Sequence, residues 1–294
     1  MDPQDFAKAF RVKDGSRFRL ARINPAKTPG FKNKDQVERM VAKGVERLAA
    51  LQEKLYASDR WAVLLVFQAL DAAGKDSTIK HVMSGVNPQG CQVFSFKSPS
   101  VEELDHDFLW RTTRALPERG RIGIFNRSYY EEVLAVRVHP ELLQRQRLPT
   151  ELVTRKIWKE RFEDIVAFER HMVRSGTVLL KFFLHVSRKE QRRRFLERLE
   201  TPTKFWKFSA ADLAERDHWD EYMAAYEDMN RRTATPGAPW YVVPADHKWF
   251  TRLVVVEALT TALGKLDLSY PMVPPNERRA LKAERVALER EPDA

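Results

Sequence analysis

Cysteine is almost absent from this chain: Cys91 is the only one in 294 residues. That excludes an internal disulfide and fits a reducing compartment. Long apolar runs are missing too. None approaches the roughly 20 residues of a membrane span, and the leading MDPQDFAKAF has no signal-peptide core. A cytoplasmic protein with no membrane partner is therefore expected. The seven histidines are scattered without H-x-x-x-H spacing, which argues against a zinc centre. Neither G-x-S-x-G nor a cysteine context suited to acyl transfer occurs. RNP-like aromatic motifs, zinc fingers and basic zippers are also missing, so nucleic acid is not the expected partner.

What the chain does hold is an ordinary globular composition, 43% hydrophobic and 31% charged, enough for one large α/β domain or two small ones. Lysine and arginine (51) outnumber aspartate and glutamate (41), for a net charge of +10. An excess of that size favours an anionic partner. Where the charge sits says more than its sum.

Residues 1–34 are polar and rich in turn formers and read as an extended N-terminal arm. Val37, Met40, Val41, Leu48, Leu51 and Leu55 then recur at helical spacing. Five short apolar strands are predicted at 61–67, 91–96, 121–125, 178–186 and 240–244, each patterned for burial on both faces of a parallel sheet. Helical patterns at 75–85, 101–115, 150–174, 188–200 and 247–265 alternate with them. This is the signature of a doubly wound α/β domain with a five-stranded parallel sheet flanked by helices. The predicted boundaries are 35–270 for that catalytic domain and 271–294 for a charged tail, an exposed helix or a partly disordered end.

The first predicted strand, WAVLLVF, runs into QALDAAGKDST. Set against G-x-x-x-x-G-K-[ST], Ala69 replaces the first glycine and Asp76 the hydroxyl residue. Loop amides from Ala72, Ala73 and Gly74, with Asp76, Ser77 and Thr78 at the start of a helix, would surround phosphate oxygens, and Lys75 would supply a mobile charge. Ala69 is tolerable if its φ stays negative. Asp76 is the harder departure, since a carboxylate repels phosphate unless a metal lies between. Asp71 could hold Mg²⁺ or polarise an incoming phosphate. The third strand ends at Asn126, Arg127 and Ser128, at the crevice edge of this fold class. There Asn126 keeps an oxygen ligand without charge, Arg127 would face a phosphate, and Asp71, Glu131 or Glu132 could supply the missing charge. Lys97, after the second strand, occupies another crevice-facing end. Residues 187–207 carry eight basic and three acidic residues. Arg188 and Arg192 share one helix face and Arg194 and Arg198 another. This run, broken by Thr201-Pro202, suits an Arg-rich helical lid over 187–235.

Several separated stretches together resemble the polyphosphate kinase 2 family, itself similar in fold to the P-loop thymidylate kinases: LQEKLYA, VFQALDAAGKDSTIKHVMSGVNPQG, FKSPSVEELDHDFLWR, IGIFNRSYYEEVLAVRVHPE, EQRRRFLERLETPTKFWKFS and WYVVPADHKWF. They run in family order from about Leu51 to Phe250. The resemblance implies Mg²⁺-dependent, reversible phosphoryl transfer from inorganic polyphosphate to AMP or ADP, forming ADP and ATP, by a homo-oligomer (dimer or tetramer). It implies a catalytic set of Asp71, Lys75, Asn126, Arg127 and Arg188. Phosphate contacts would come from the loop and from Arg192, Arg193, Arg194 and Arg198. Nucleotide contacts would come from Lys97, Asn126, Arg127 and Glu131, and Mg²⁺ would fall to Asp71 and Glu131. NRSYYEE resembles the subgroup acting on both AMP and ADP, whereas many members carry aspartate at the Asn126 position. Two other readings stand beside it: an ATP-dependent nucleoside-monophosphate kinase of the same fold, and a polyphosphate- or nucleic-acid-binding protein without turnover.

Overall fold

The computed structural model describes residues 6–291. Its centre is the strand β2 (Ala62–Gln68), in which every residue is buried. The uninterrupted AVLLVFQ run has no solvent face to spend polar side chains on. β2 pairs in parallel with β4 (Ile122–Asn126) on one side and β5 (Thr177–His185) on the other. β3 (Cys91–Ser95) pairs outside β4, and β6 (Trp240–Pro244) outside β5, again in parallel.

The sheet departs from the expected five parallel strands. A sixth, β1 (Arg11–Val12), pairs antiparallel with β6 through Arg11↔Tyr241 and Val12↔Trp240, giving the order β1-β6-β5-β2-β4-β3. Two residues are too few to show a period. What brings this segment to the sheet is non-local: Phe6, Phe10 and Phe31 pack edge-on or tilted around Phe250. β3 also differs from expectation. As an edge strand it leaves Gln92, Val93 and Ser95 exposed, so its five apolar-leaning residues are not covered on both faces.

Side-chain alternation along the strands divides the core. Val63, Leu65 and Phe67 of β2 face helices α1 (Lys34–Ser58), α2 (Lys75–Val82) and α6 (Lys248–Leu263). Leu64 and Val66 face α3 (Ile157–Arg174) and α5 (Trp219–Thr233). Asn33 caps α1 by accepting from the Gln36 amide, and Ser187 caps α4 (Arg188–Glu200) by accepting from Glu190. The expected helix over 101–115 is instead two single turns, Val101–Leu104 and Trp110–Thr113. The Asp107 carboxylate accepts from the Leu109 amide and restarts the chain between them. The predicted 150–174 helix begins only at Ile157. Residues 275–288 form α7 (Pro275–Leu288), exposed along its whole length.

From β2 the chain goes to β3 and β4 on one side, then crosses to β5 and β6 on the other. The carboxyl ends of β2 and its neighbours therefore flank a reversal of strand order, where folds of this kind open a crevice.

Candidate active site

The loop leaving β2 runs from Ala69 to Gly74, ahead of α2. Gly74 has φ +106° and Ala72 φ +60°, two residues apart in the left-handed region. Ala69 is not among the positive-φ residues, so its methyl group is compatible with the turn. Gly74 caps α2, whose first-turn amides have no partners inside the helix. Lys75 begins that helix. Its ammonium donates to the Ala69 carbonyl at 2.7 Å, keeping two N–H donors for other acceptors. Burial pulls the Lys75 pKa below the usual lysine value, against the charges of Asp71, Glu131 and Asp76.

Asp71 forms a 2.7 Å ion pair with Arg127. Burial pushes its pKa up, but Lys75, Arg127 and Arg198 outweigh it, and the net value lies below the usual carboxylate range. Arg127 is held charged first by Glu131 and also by Asp71. It has φ +63°, a conformation costing a non-glycine residue about 1–2 kcal/mol. Its amide donates to Phe67 O. The next residue, Ser128, is fully buried, accepting from Gln68 Nε2 and the Tyr130 amide. The backbone outlier thus sits where the arginine meets the loop. Asn126 Nδ2 donates to Asp76 at 2.8 Å. The carboxylate that stands in place of the usual hydroxyl is held by the amide that stands in place of the usual aspartate.

These groups border an open cleft of about 880 Å³, lined by Asp71 through Ser77, Lys97, Asn126, Arg127, Arg194 and Arg198 among others. Thr78 is buried beneath the loop and does not line it. The basic run divides by helix face. Arg198 reaches the cleft, 3.7 Å from Asp212. Arg194 is buried against the loop itself. Arg188 and Arg192 lie beside Arg216, and Arg193 pairs with Glu190 and Glu197 on the outer face. None of the last three lines the cleft. The sequence reading missed Lys248 and Asp212 in its wall, and it counted Lys204 and Lys207 only as part of a basic run.

A smaller, more enclosed cavity of about 170 Å³ adjoins the cleft, sharing Phe96, Lys97, Ser98 and Arg127 with it. Glu131 and Glu132 line this second chamber. Arg111 lies over the Phe96 ring and donates to the Lys97 carbonyl, and Arg161 lies over Phe108 and pairs with Glu132. Burial raises the Glu132 pKa despite Arg161 and Gln146. An acid with a raised folded pKa loses stability as pH climbs from its unfolded value through the folded one. Glu132→Gln should therefore gain melting temperature relative to the parent as pH rises from about 4 toward neutrality. A difference in melting temperature that stayed flat across that range would contradict the assignment.

Beneath the site lies a network that the sequence did not announce. Lys181, in the middle of β5 and 0% exposed, donates to Glu169 Oε2 at 2.6 Å, the Tyr130 hydroxyl at 2.9 Å and Thr233 O at 2.8 Å. Tyr129 and Tyr130 both donate to Glu169 Oε1. The two tyrosines following Arg127-Ser128 are thereby tied into the sheet, and Glu131 follows them in fixed register.

No group of three or more His, Cys, Asp or Glu side chains converges as a metal cage among the described residues. The donors present still suit a hard divalent ion. Asp71 and Asp212 border the same cleft, and the Asp212 pKa is raised by burial and then by the charge of Asp71. A cation between them would relieve that repulsion. Mg²⁺ commonly binds through one or two carboxylates, completing its shell with substrate phosphates and water. Among the described residues, no helix is long and apolar enough to cross a membrane.

The chain was compared with known proteins. An "ADP-polyphosphate phosphotransferase" of Rhodopseudomonas palustris is 53% identical over 275 residues, 93% of this chain and 95% of that protein. An "AMP/ADP-polyphosphate phosphotransferase" of Meiothermus ruber is 44% identical over 265 residues, 90% of this chain and 95% of the relative. The crystal structure of polyphosphate kinase 2 from Arthrobacter aurescens TC1 superposes with a TM-score of 0.86 at 40% identity, covering 97% of each chain. The family pattern described as polyphosphate kinase 2 matches residues 31–269, a span that holds the loop, the Asn126-Arg127 turn and the basic helix, and this chain belongs to the polyphosphate kinase 2 family.

Proposed function

We propose that this protein transfers phosphoryl groups between inorganic polyphosphate and adenine nucleotides, with ADP and AMP both serving as acceptors. The observation that carries this reading is the pairing of two unlike chambers at Arg127. One is an open cleft bordered by Lys75, Arg198, Lys204, Lys207 and Lys248, and the other a small pocket walled by Phe96, Phe108 and Leu142. A polyanion of variable length suits the first, and the aromatic and apolar wall of the second suits the ring of a nucleoside. The names of the two relatives, an ADP- and an AMP/ADP-polyphosphate phosphotransferase, support the acceptor class, and NRSYYEE supports the broader choice.

In this scheme an ionised terminal oxygen of the nucleotide attacks the end phosphorus of the polyphosphate. A new P–O bond forms as the bridging P–O bond breaks, and the shortened chain leaves with the electron pair. Lys75 and the loop amides hold equatorial and bridging oxygens of the donor. Arg127, straddling both chambers, spans donor and acceptor. Asp71 keeps Arg127 aimed, and Arg198, Lys204 and Lys207 approach from α4 and the turn after it, whereas α5, inside the expected 187–235 lid, packs in the core and cannot move with it. The protein thus mainly aligns groups and stabilises charge. Mg²⁺, held by Asp71 with Asp212 or Glu131, would neutralise phosphate oxygens. An acceptor phosphate is already ionised near neutral pH, so no strong base is required. The same reading carries a homo-oligomer working in the cytoplasm, with 271–294 as a tail; the segment expected as an arm is instead tied to the domain, since Arg11–Val12 join the sheet and Phe6, Phe10 and Phe31 pack on Phe250.

The test is nucleotide chromatography with Mg²⁺, long-chain polyphosphate, and AMP or ADP. ADP and ATP formed from AMP only when polyphosphate is present is the expected result. Product from ADP alone would remove AMP from the acceptor list, and ATP:AMP transfer without polyphosphate would favour a nucleoside-monophosphate kinase. Asn126→Asp sets a second carboxylate against Asp76, so its AMP:ADP rate ratio should shift and its Mg²⁺ requirement should rise at least about tenfold, about 1.4 kcal/mol. Unchanged ratios would free Asn126 of any role in acceptor choice.

A further inference from the structure

The lid helix α4 touches the phosphate loop through two side chains that the catalytic scheme leaves without a task. Arg194 is 3% exposed, and all five of its N–H donors are taken by protein oxygens. Nε donates to Glu190 at 2.8 Å, Nη1 to Ala72 O at 3.0 Å and Ala73 O at 2.7 Å, and Nη2 to Ala245 O at 2.6 Å and Asp246 O at 3.1 Å. Gln191, equally buried, donates from Nε2 to Asp71 O at 2.9 Å, while its own Oε1 accepts from Arg216. Three consecutive loop carbonyls, those of Asp71, Ala72 and Ala73, are therefore drawn outward onto one face of α4.

A planar trans peptide points its N–H away from its carbonyl. Pulling carbonyls 71, 72 and 73 toward α4 turns the amides of Ala72, Ala73 and Gly74 the other way. The Ala73 amide closes a turn on Leu70 O. Those of Ala72 and Gly74 are left to join the first-turn amides of α2, which is the concave array an anion needs. The same grip explains Ala72. An alanine at φ +60° is disfavoured unless its surroundings hold it there, and both peptides that flank the Ala72 α-carbon are held, the Asp71 carbonyl by Gln191 and the Ala72 carbonyl by Arg194.

We infer that Arg194 and Gln191 are positioning residues, not phosphate ligands: they hold the loop in its anion-receiving conformation and couple it to the lid helix. This rests on the reading of the loop as a phosphate site and goes beyond it, because it takes Arg194 out of the set of charges that meet substrate and leaves Arg198 in it. A lysine at 194 keeps the charge but has one ammonium where five acceptors wait in a fixed fan.

The experiment is calorimetric binding of inorganic tripolyphosphate, without nucleotide, at several salt concentrations, alongside turnover with polyphosphate and ADP. Arg194→Lys should weaken tripolyphosphate binding at least about tenfold, 1.4 kcal/mol, with the slope of log Kd against log salt unchanged. Arg198→Gln, which removes a charge from the cleft, should lower that slope, because one fewer charge is screened by salt. Gln191→Ala, neutral and gentler on the fold, should weaken binding by severalfold, also at constant slope. Near-parental binding by Arg194→Lys, a slope lowered in Arg194→Gln as much as in Arg198→Gln, or an unaffected Gln191→Ala would each overturn the inference. Parent protein that binds tripolyphosphate and transfers nothing would instead sink the transfer reading and leave this one standing.

Discussion

Lys75→Met should reduce turnover by roughly 10²–10³ or more, the usual cost of removing one preorganised donor from a transferring group, while the protein stays folded. The two halves of this expectation have different origins. Lys75 begins α2, beside the Asp71–Arg127 pair, and places its ammonium where the donor phosphates would lie. Methionine fills much the same volume without the charge. The same burial that lowers the lysine pKa means that the charged side chain is held at a cost in the empty protein. For a base with a depressed folded pKa, that cost is fully present below the folded value and is relieved as pH rises from there to the unfolded value. Lys75→Met should consequently melt no lower than the parent, and a gain of about 1 kcal/mol would appear as a few degrees. Thermal melts and steady-state rates on one preparation test both halves. A rate within tenfold of the parent would remove Lys75 from the transfer step, and a fall in melting temperature of more than a few degrees would show a structural role instead.

The strands were readable because burial on both faces leaves a continuous apolar run, and WAVLLVF and WYVVP can hardly be anything else. β1 was not, because Arg11 and Val12 become a strand only after Phe6, Phe10 and Phe31 have found Phe250, more than 200 residues away. The basic helix shows the same division. The i, i+4 rule correctly separated Arg188 and Arg192 from Arg194 and Arg198. It could not say which face meets the loop. That depends on how α4 sits against Ala72 and Asp246, and these are separated from it by 122 and 52 positions. Asp212 and Lys248 escaped notice because each looks like any surface charge until folding brings it to the cleft. The Lys181–Glu169 pair was hidden differently. In VLLKFFLHV a single lysine reads as a blemish in an apolar strand, and its partner lies on the helix before it.

That pair carries the largest expected effect on stability. Lys181 has three N–H donors and three acceptors, and Glu169 accepts from two tyrosine hydroxyls as well as the ammonium. Breaking a buried pair by removing one partner strands the other charge and costs about 3–5 kcal/mol. Lys181→Met should therefore lower the melting temperature by roughly 6–15 °C for a chain of this size. Lys181→Met combined with Glu169→Gln removes both charges, yet an amide oxygen still accepts from Tyr129 and Tyr130. The double variant should recover at least about 2 kcal/mol of the summed single losses, a coupling within the range that contacting residues show. Turnover well below the melting point should fall too, because Tyr129 and Tyr130 set the register of Arg127 on one side and Glu131 on the other. Denaturant unfolding of the parent, both single variants and the double variant measures the coupling. Additive losses would mean that the two groups merely coexist in the core, and a single-variant cost below about 1 kcal/mol would mean that water reaches Lys181.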